Sequence, residues 1–298
     1  MGKLWVALVV VALLAPATQA WGVYTPLTSS LQMEVNEVAM LTAQANYLQQ
    51  QGDQLGAAVV ASYIPDHRMM ISRLSAAMQQ MGGNPSTIVA KGTPFLGTRA
   101  QIIDNDLKAY AKAMDHYRDL SRRTSSPVIK QLAAMGRDGA WRHYDSLVVA
   151  SGATLGTPEA IYASLLASQA LEQAAISDLQ AQAARLASLG DQTTANVLLG
   201  MAPSHQQQAA NLQVTTTNFG TPQFGVANRG RITTIPPVAA LDSRAQILAH
   251  FQVVNTQFIN TYALAINGLP PSPLQRVMAD GQTIALMSLT ALQRLPVA

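Results

Sequence analysis

The chain has 298 residues, room for one large domain or two ordinary ones. Charged residues make up 12% of it, against a usual ~25%, while 49% is hydrophobic, which excludes a disordered or polyelectrolyte chain. Basic residues exceed acidic ones by 3, no Lys or Arg run is longer than two, and aromatics do not interleave them, so no nucleic-acid partner is expected.

The first 20 residues read as a secretory signal peptide: Lys3, an apolar run of eleven from Leu4 to Leu14, and the small-residue cleavage site Thr18-Gln19-Ala20. Cleavage near Ala20 predicts a periplasmic or secreted protein. The run is short for a membrane span and no second one follows, so the mature chain is expected to carry no transmembrane segment. The absence of Cys excludes disulfides and a lipidated cysteine anchor. With 27 Gln against 16 Asp and Glu, the polar surface is largely uncharged, as suits helix contacts.

From residue 31 onward the chain repeats itself. A shift of 138 aligns Leu31–Leu74 with Gln169–Leu212 without a gap, and 14 of the 44 positions are identical. The matches include Glu34 with Glu172, Gly52-Asp53-Gln54 with Gly190-Asp191-Gln192, Pro65 with Pro203, and His67 with His205. A shift of 145 then pairs Arg99-Ala100-Gln101-Ile102 with Arg244-Ala245-Gln246-Ile247 and Tyr117 with Tyr262; one further residue pairs Ser126-Pro127 with Ser272-Pro273. Two halves are therefore expected, 21–155 and 156–298, each a pair of helical hairpins.

Leu31, Val38, Leu41, Ala45 and Leu48 follow the period of one buried helical stripe. Gly52 suits the left-handed position after that helix, and Asp53 the N-cap of the next. Gly190 and Asp191 are expected to act alike. Thr124-Ser125-Ser126-Pro127 and Pro270-Pro271-Ser272-Pro273 read as breaks before new helices. The Gly-Thr-Pro tripeptides at 92, 156 and 220 are turn chemistry, and the longest irregular stretch is expected at 214–241, with a shorter counterpart near 81–97. No nucleotide-binding glycine loop or nucleophile elbow occurs.

Glu34 falls inside the apolar stripe of its helix, and a buried carboxylate needs a partner. His67 occupies the inward stripe of the following helix, with Ala57, Val60, Ile64, Ile71 and Leu74. Counted from the Gly52 turn, the two side chains lie within about one helical turn of the same height. Glu172 and His205 repeat the arrangement. Pro65 and Pro203, two residues before each His, predict either a kink or a fresh helix start.

An inward Glu on one helix and an inward His on the next resemble the ferritin-like superfamily, including exported bacterial proteins of unknown function whose second helix carries Asp-His, as in Asp66-His67. The resemblance implies an all-α fold of tandem duplicated four-helix bundles. Metal-binding members use Glu-x-x-His, whereas Ile64 and Ala202 stand three residues before the histidines.

The leading expectation is a non-enzymatic exported protein of structural or interaction type, with no cofactor and Glu–His pairs as internal ties. Convergence of Glu34, His67, Glu172 and His205 on one divalent ion, iron or zinc, is the metal-binding alternative. A third follows from composition similar to that of minor pilus subunits of type IV secretion systems, whose partner would be an envelope protein or a second copy. His116, His143 and His250 have no counterpart in the repeat, and Asp104, Asp106, Asp115 and Asp145 are assigned mostly to solvated faces. Met69, Met70, Met78 and Met81 fit core filler better than copper ligands.

Overall fold

The computed structural model describes residues 2–220, 241–269 and 271–295, with side chains from Thr25 onward except at 153–155. The side chains of the expected leader and cleavage site, and 221–240 of the expected loop, lie outside the described residues. Among the described residues there are nine α-helices, one short 3-10 turn and no strand. None of these helices is long and apolar enough to cross a membrane.

The first half runs α1 (Gly2–Gln50), α2 (Gln54–Ser62), α3 (Ile64–Gln80), α4 (Arg99–Arg123) and α5 (Pro127–Leu155). The second runs α6 (Pro158–Ser188), α7 (Gln192–Phe219), α8 (Arg244–Gly268) and α9 (Pro273–Gln293). Each expected break is built as its residues dictate. Gly52 and Gly190 adopt φ of 80° and 86°. Asp53 and Asp191 cap the next helix by accepting from the N–H groups of Gly56 and Thr194, at 2.9 and 3.0 Å. Ser126, Thr157 and Ser272 cap α5, α6 and α9, each with proline in the first turn.

Proline has opposite outcomes in the two halves. Pro65 begins a fresh helix, α3, whereas Pro203 lies inside the continuous α7. Helix α7 also extends through Phe219, so residues 214–219 of the expected irregular stretch are helical. The hydroxyls of Thr215, Thr216 and Thr217 each donate to the carbonyl four residues earlier, at 2.7–2.9 Å, which absorbs polar groups that a sequence reader assigns to a loop.

Helix α1 packs on α2, α3 and α4, and α5 on α3 and α4, closing a four-helix layer around Leu41, Tyr63, Ile102 and Tyr110. In the second half α6 packs on α7, α8 on α9, and α7 on α9. Helix α5 also lies against α6 and α8, and α2 against α8. Both apolar clusters consequently draw on both halves: one joins Leu41 and Tyr110 to Phe258 and Tyr262, the other Leu31 and Leu74 to Leu179 and Phe251.

Candidate functional site

The α1–α3 hairpin brings Glu34 and His67 together because the Gly52-Asp53 turn sets the two stripes at matching height. Glu34 Oε2 lies 2.6 Å from His67 Nδ1, and both residues are buried. Tyr117, from α4, donates its hydroxyl to Glu34 Oε1. Tyr110, one helical turn pair earlier on α4, lies 3.1 Å from His67 Nε2 and stacks on its ring. Burial opposes charge on His67, yet the Glu34 carboxylate beside it holds its pKa above the ordinary imidazole value.

The second half contains the same inner triad. Glu172 Oε2 lies 2.6 Å from His205 Nδ1, and Tyr262 donates to Glu172 Oε1 at 2.6 Å. Burial and then the neighbouring carboxylate push the Tyr117 and Tyr262 phenols well above the usual range, so both act as donors. A glycine admits each tyrosine ring: a Cβ at Gly136 would run into Tyr117, and one at Gly281 would approach Tyr262 to 2.8 Å. The two Glu–His pairs do not join. Among the described residues no group of three or more His, Asp or Glu side chains is placed to hold a metal ion.

Sequence reasoning missed a second layer of polar groups beside the first triad. Asp66 Oδ2 accepts from Arg142 Nη2 at 3.2 Å, from His143 Nε2 at 3.0 Å and, across the halves, from Gln257 Nε2 at 2.9 Å. Burial would raise the Asp66 pKa, but Arg142 and His143 hold it well below the carboxylate range. His143 itself is pushed down to about 4 by burial despite Asp66, so it is neutral and its donated proton sits on Nε2. Asp178 pairs with His250 at 2.5 Å and accepts from Gln182 at 3.2 Å. Of the carboxylates assigned to solvated faces, Asp104 and Asp115 are exposed, but Asp106 and Asp145 are fully buried. Burial pushes Asp106 up to about 6, with Gln44 and Asn105 opposing, and Asp145 up to about 8.

A cavity of about 290 Å³ opens beside this layer between α1, α3, α4 and α5. Its walls include Met33, Met70, Ala113 and Gly139 together with Glu34, Glu37, His67, Tyr110 and His143. Glu37 was not singled out from the sequence, although it stands three residues after Glu34 on nearly the same face. Burial pushes its carboxyl up to about 7, with His67 opposing and Asp106 and Glu34 adding to the rise.

No family model matches the chain, and neither a curated protein nor a solved structure matches it.

Proposed function

We propose that the chain is an exported, non-enzymatic helical protein of structural or interaction type, a tandem duplication of a ferritin-like four-helix unit over 21–155 and 156–298. In this reading the leader is removed near Ala20 and each Glu–His–Tyr triad is a tie between helices rather than a reaction centre. The observation that carries it is the occupancy of the triads: both oxygens of Glu34 and both of Glu172 are engaged by a His and a Tyr of the same half. Neither triad carboxylate keeps an oxygen without a donor.

The duplication rests on contacts that recur at the aligned positions. Arg99 pairs with Asp53 as Arg244 pairs with Asp191. Even the Asp178–His250 contact has a counterpart, because Asn105 Nδ2 approaches Met40 Sδ at 3.8 Å at the corresponding positions. One contact geometry thus carries different chemistry in the two halves, as divergence after duplication produces.

The test is elemental analysis and sedimentation of the chain purified without a His tag, beside a Glu34→Ala, Glu172→Ala double variant. A metal-free, monodisperse protein whose double variant still folds but is less stable supports the structural reading. Near-stoichiometric iron or zinc that vanishes in the double variant replaces it with a metal-binding ferritin-like protein. Strong concentration-dependent association replaces it with an envelope-assembly component of the type IV secretion kind, with self-association as its activity.

A further inference from the structure

At several of the positions that match the lining of the cavity between α1, α3, α4 and α5, the second half carries different residues. At the positions 145 residues on, Ala109 and Ala113 are replaced by Val254 and Phe258, both buried, and the Phe258 ring packs edge-on against Tyr262 at 6.2 Å. The polar groups bordering the space change with it. Glu37, Asp66, Tyr110 and His143 correspond to Ala175, Ser204, Asn255 and Leu289. Where Val254 and Phe258 fill the core, the two carboxylates and the imidazole have no like counterpart, and where those groups stand the core is hollow. A tie between helices needs neither, since the Glu172 triad is complete without them.

The chemistry of the wall selects an occupant. Three buried polar atoms on lining residues have no hydrogen-bond partner among the described residues: Glu37 Oε1, Asp66 Oδ1 and His143 Nδ1. All three are acceptors, because the neutral His143 carries its proton on Nε2 toward Asp66. Glu34 has His67 as counter-charge and Asp66 has Arg142, but among the described residues Glu37 is in no ion pair, and Lys112, exposed at the rim, does not reach it. The remaining wall is thioether, methyl and aromatic face: Met33, Met70, Ala113, Tyr110 and Tyr117. An occupant that satisfies this wall brings several N–H donors, one positive charge and an apolar body, and the tyrosine rings favour a cation beside them.

We propose that this cavity binds a small organic ammonium ion, its cationic head against Glu37 and its apolar body among Met33, Met70 and Ala113. Binding of such a cation favours ionised Glu37. The groups facing Glu37 are Glu34 on α1, Asp66 and His67 on α3, Asp106, Tyr110 and Lys112 on α4, and His143 on α5. Asp106 among them has its carboxyl pushed up to about 6 and Glu37 itself to about 7, so affinity rises from pH 6 to pH 8 and a proton is released on binding near neutrality.

Calorimetric titration of the full chain with benzylammonium, n-butylammonium and neutral benzyl alcohol tests this, using the unmodified protein, Glu37→Gln and Ala113→Phe. The last copies Phe258 into the hollow. The expected result is one ammonium ion bound per chain with Kd below about 1 mM, benzyl alcohol weaker by about tenfold or more, and that preference lost in Glu37→Gln. Ala113→Phe is expected to abolish binding while keeping its helical circular dichroism. Should Ala113→Phe fail to fold, the charge preference and its loss in Glu37→Gln decide alone. A hydrated cavity that takes up neither ammonium ion, an alcohol bound as tightly as the ammonium, or ammonium binding undiminished in Glu37→Gln or in folded Ala113→Phe would each overturn the proposal.

Discussion

Removing the triad glutamate is expected to cost more in the second half than in the first. Glu172→Ala leaves His205 Nδ1 without its acceptor and the Tyr262 hydroxyl with only the Ser168 hydroxyl beside it, and His205 and Tyr262 are 3% and 1% exposed. At ~1–3 kcal/mol for each orphaned buried group, the loss is on the order of 3–5 kcal/mol, the range for breaking a buried pair. Glu34→Ala orphans the same two groups, but Glu34 borders the cavity of about 290 Å³ and His67 keeps Tyr110 as a second partner. Water can follow into that space, so the cost there falls to about 1–3 kcal/mol. A difference of about 2 kcal/mol between the variants corresponds to roughly 4–8 °C in melting temperature for a chain of this size. Urea unfolding followed by circular dichroism, with both variants at one pH, reads the difference directly. The reasoning fails if Glu172→Ala lies within about 0.5 kcal/mol of the unmodified protein, or if Glu34→Ala proves the costlier change.

Two further outcomes are expected from single substitutions. In α5, Gly139→Ala meets nothing within 4 Å and should gain about 0.5–1 kcal/mol from helix propensity, whereas Gly136→Ala drives a methyl into the Tyr117 ring and should lose about 1–3 kcal/mol; thermal melts that rank them the other way would exclude this packing. Asp145 has its carboxyl pushed up to about 8 by burial and its Oδ1 has no partner among the described residues, so the unfolded chain loses this proton first and stability falls as pH rises from about 4 to about 8. Asp145→Asn removes that loss, and its stability advantage over the unmodified protein should widen across the window by up to roughly 5 kcal/mol; an advantage that stays flat from pH 4.5 to pH 8 would show that Asp145 reaches solvent.

Local chemistry was legible in the sequence, and chemistry between hairpins was not. The Glu–His pairs follow from stripe position and from distance to a Gly-Asp turn, both of which the sequence carries. Tyr117 and Tyr262 stand out as a match in the repeat, but their role depends on how α4 and α8 lie against α1 and α6. The Asp66–His143 and Asp178–His250 pairs span 77 and 72 residues and are set by helix docking that no periodicity encodes. Asp106 and Asp145 are different, because the signal was present. Asp106 lies on the stripe of Ile103, Tyr110, Ala113 and Tyr117, and Asp145 is four residues from Trp141 and from Val149, all of them buried. A solitary carboxylate on a helix suggests a solvated face, but the place of each in the apolar pattern marks it as core.

The difference between matched positions carries information that neither half carries alone. Lys112 and Gln257 stand 145 residues apart in the aligned frame. Lys112 is exposed at the rim of the cavity, whereas Gln257 is fully buried, because α8 is covered by α2 and α5. A charge there would be stranded, and an amide instead donates to Asp66 across the halves at 2.9 Å. The position that faces solvent in the first half thus carries, in the second, a pin between the two halves. The pin ends on Asp66 Oδ2, and the other oxygen of the same carboxylate borders the cavity without a partner. Docking of the second half and the polarity of the cavity wall thus meet in one side chain, which gives the hollow half a fixed wall that its own four helices do not supply.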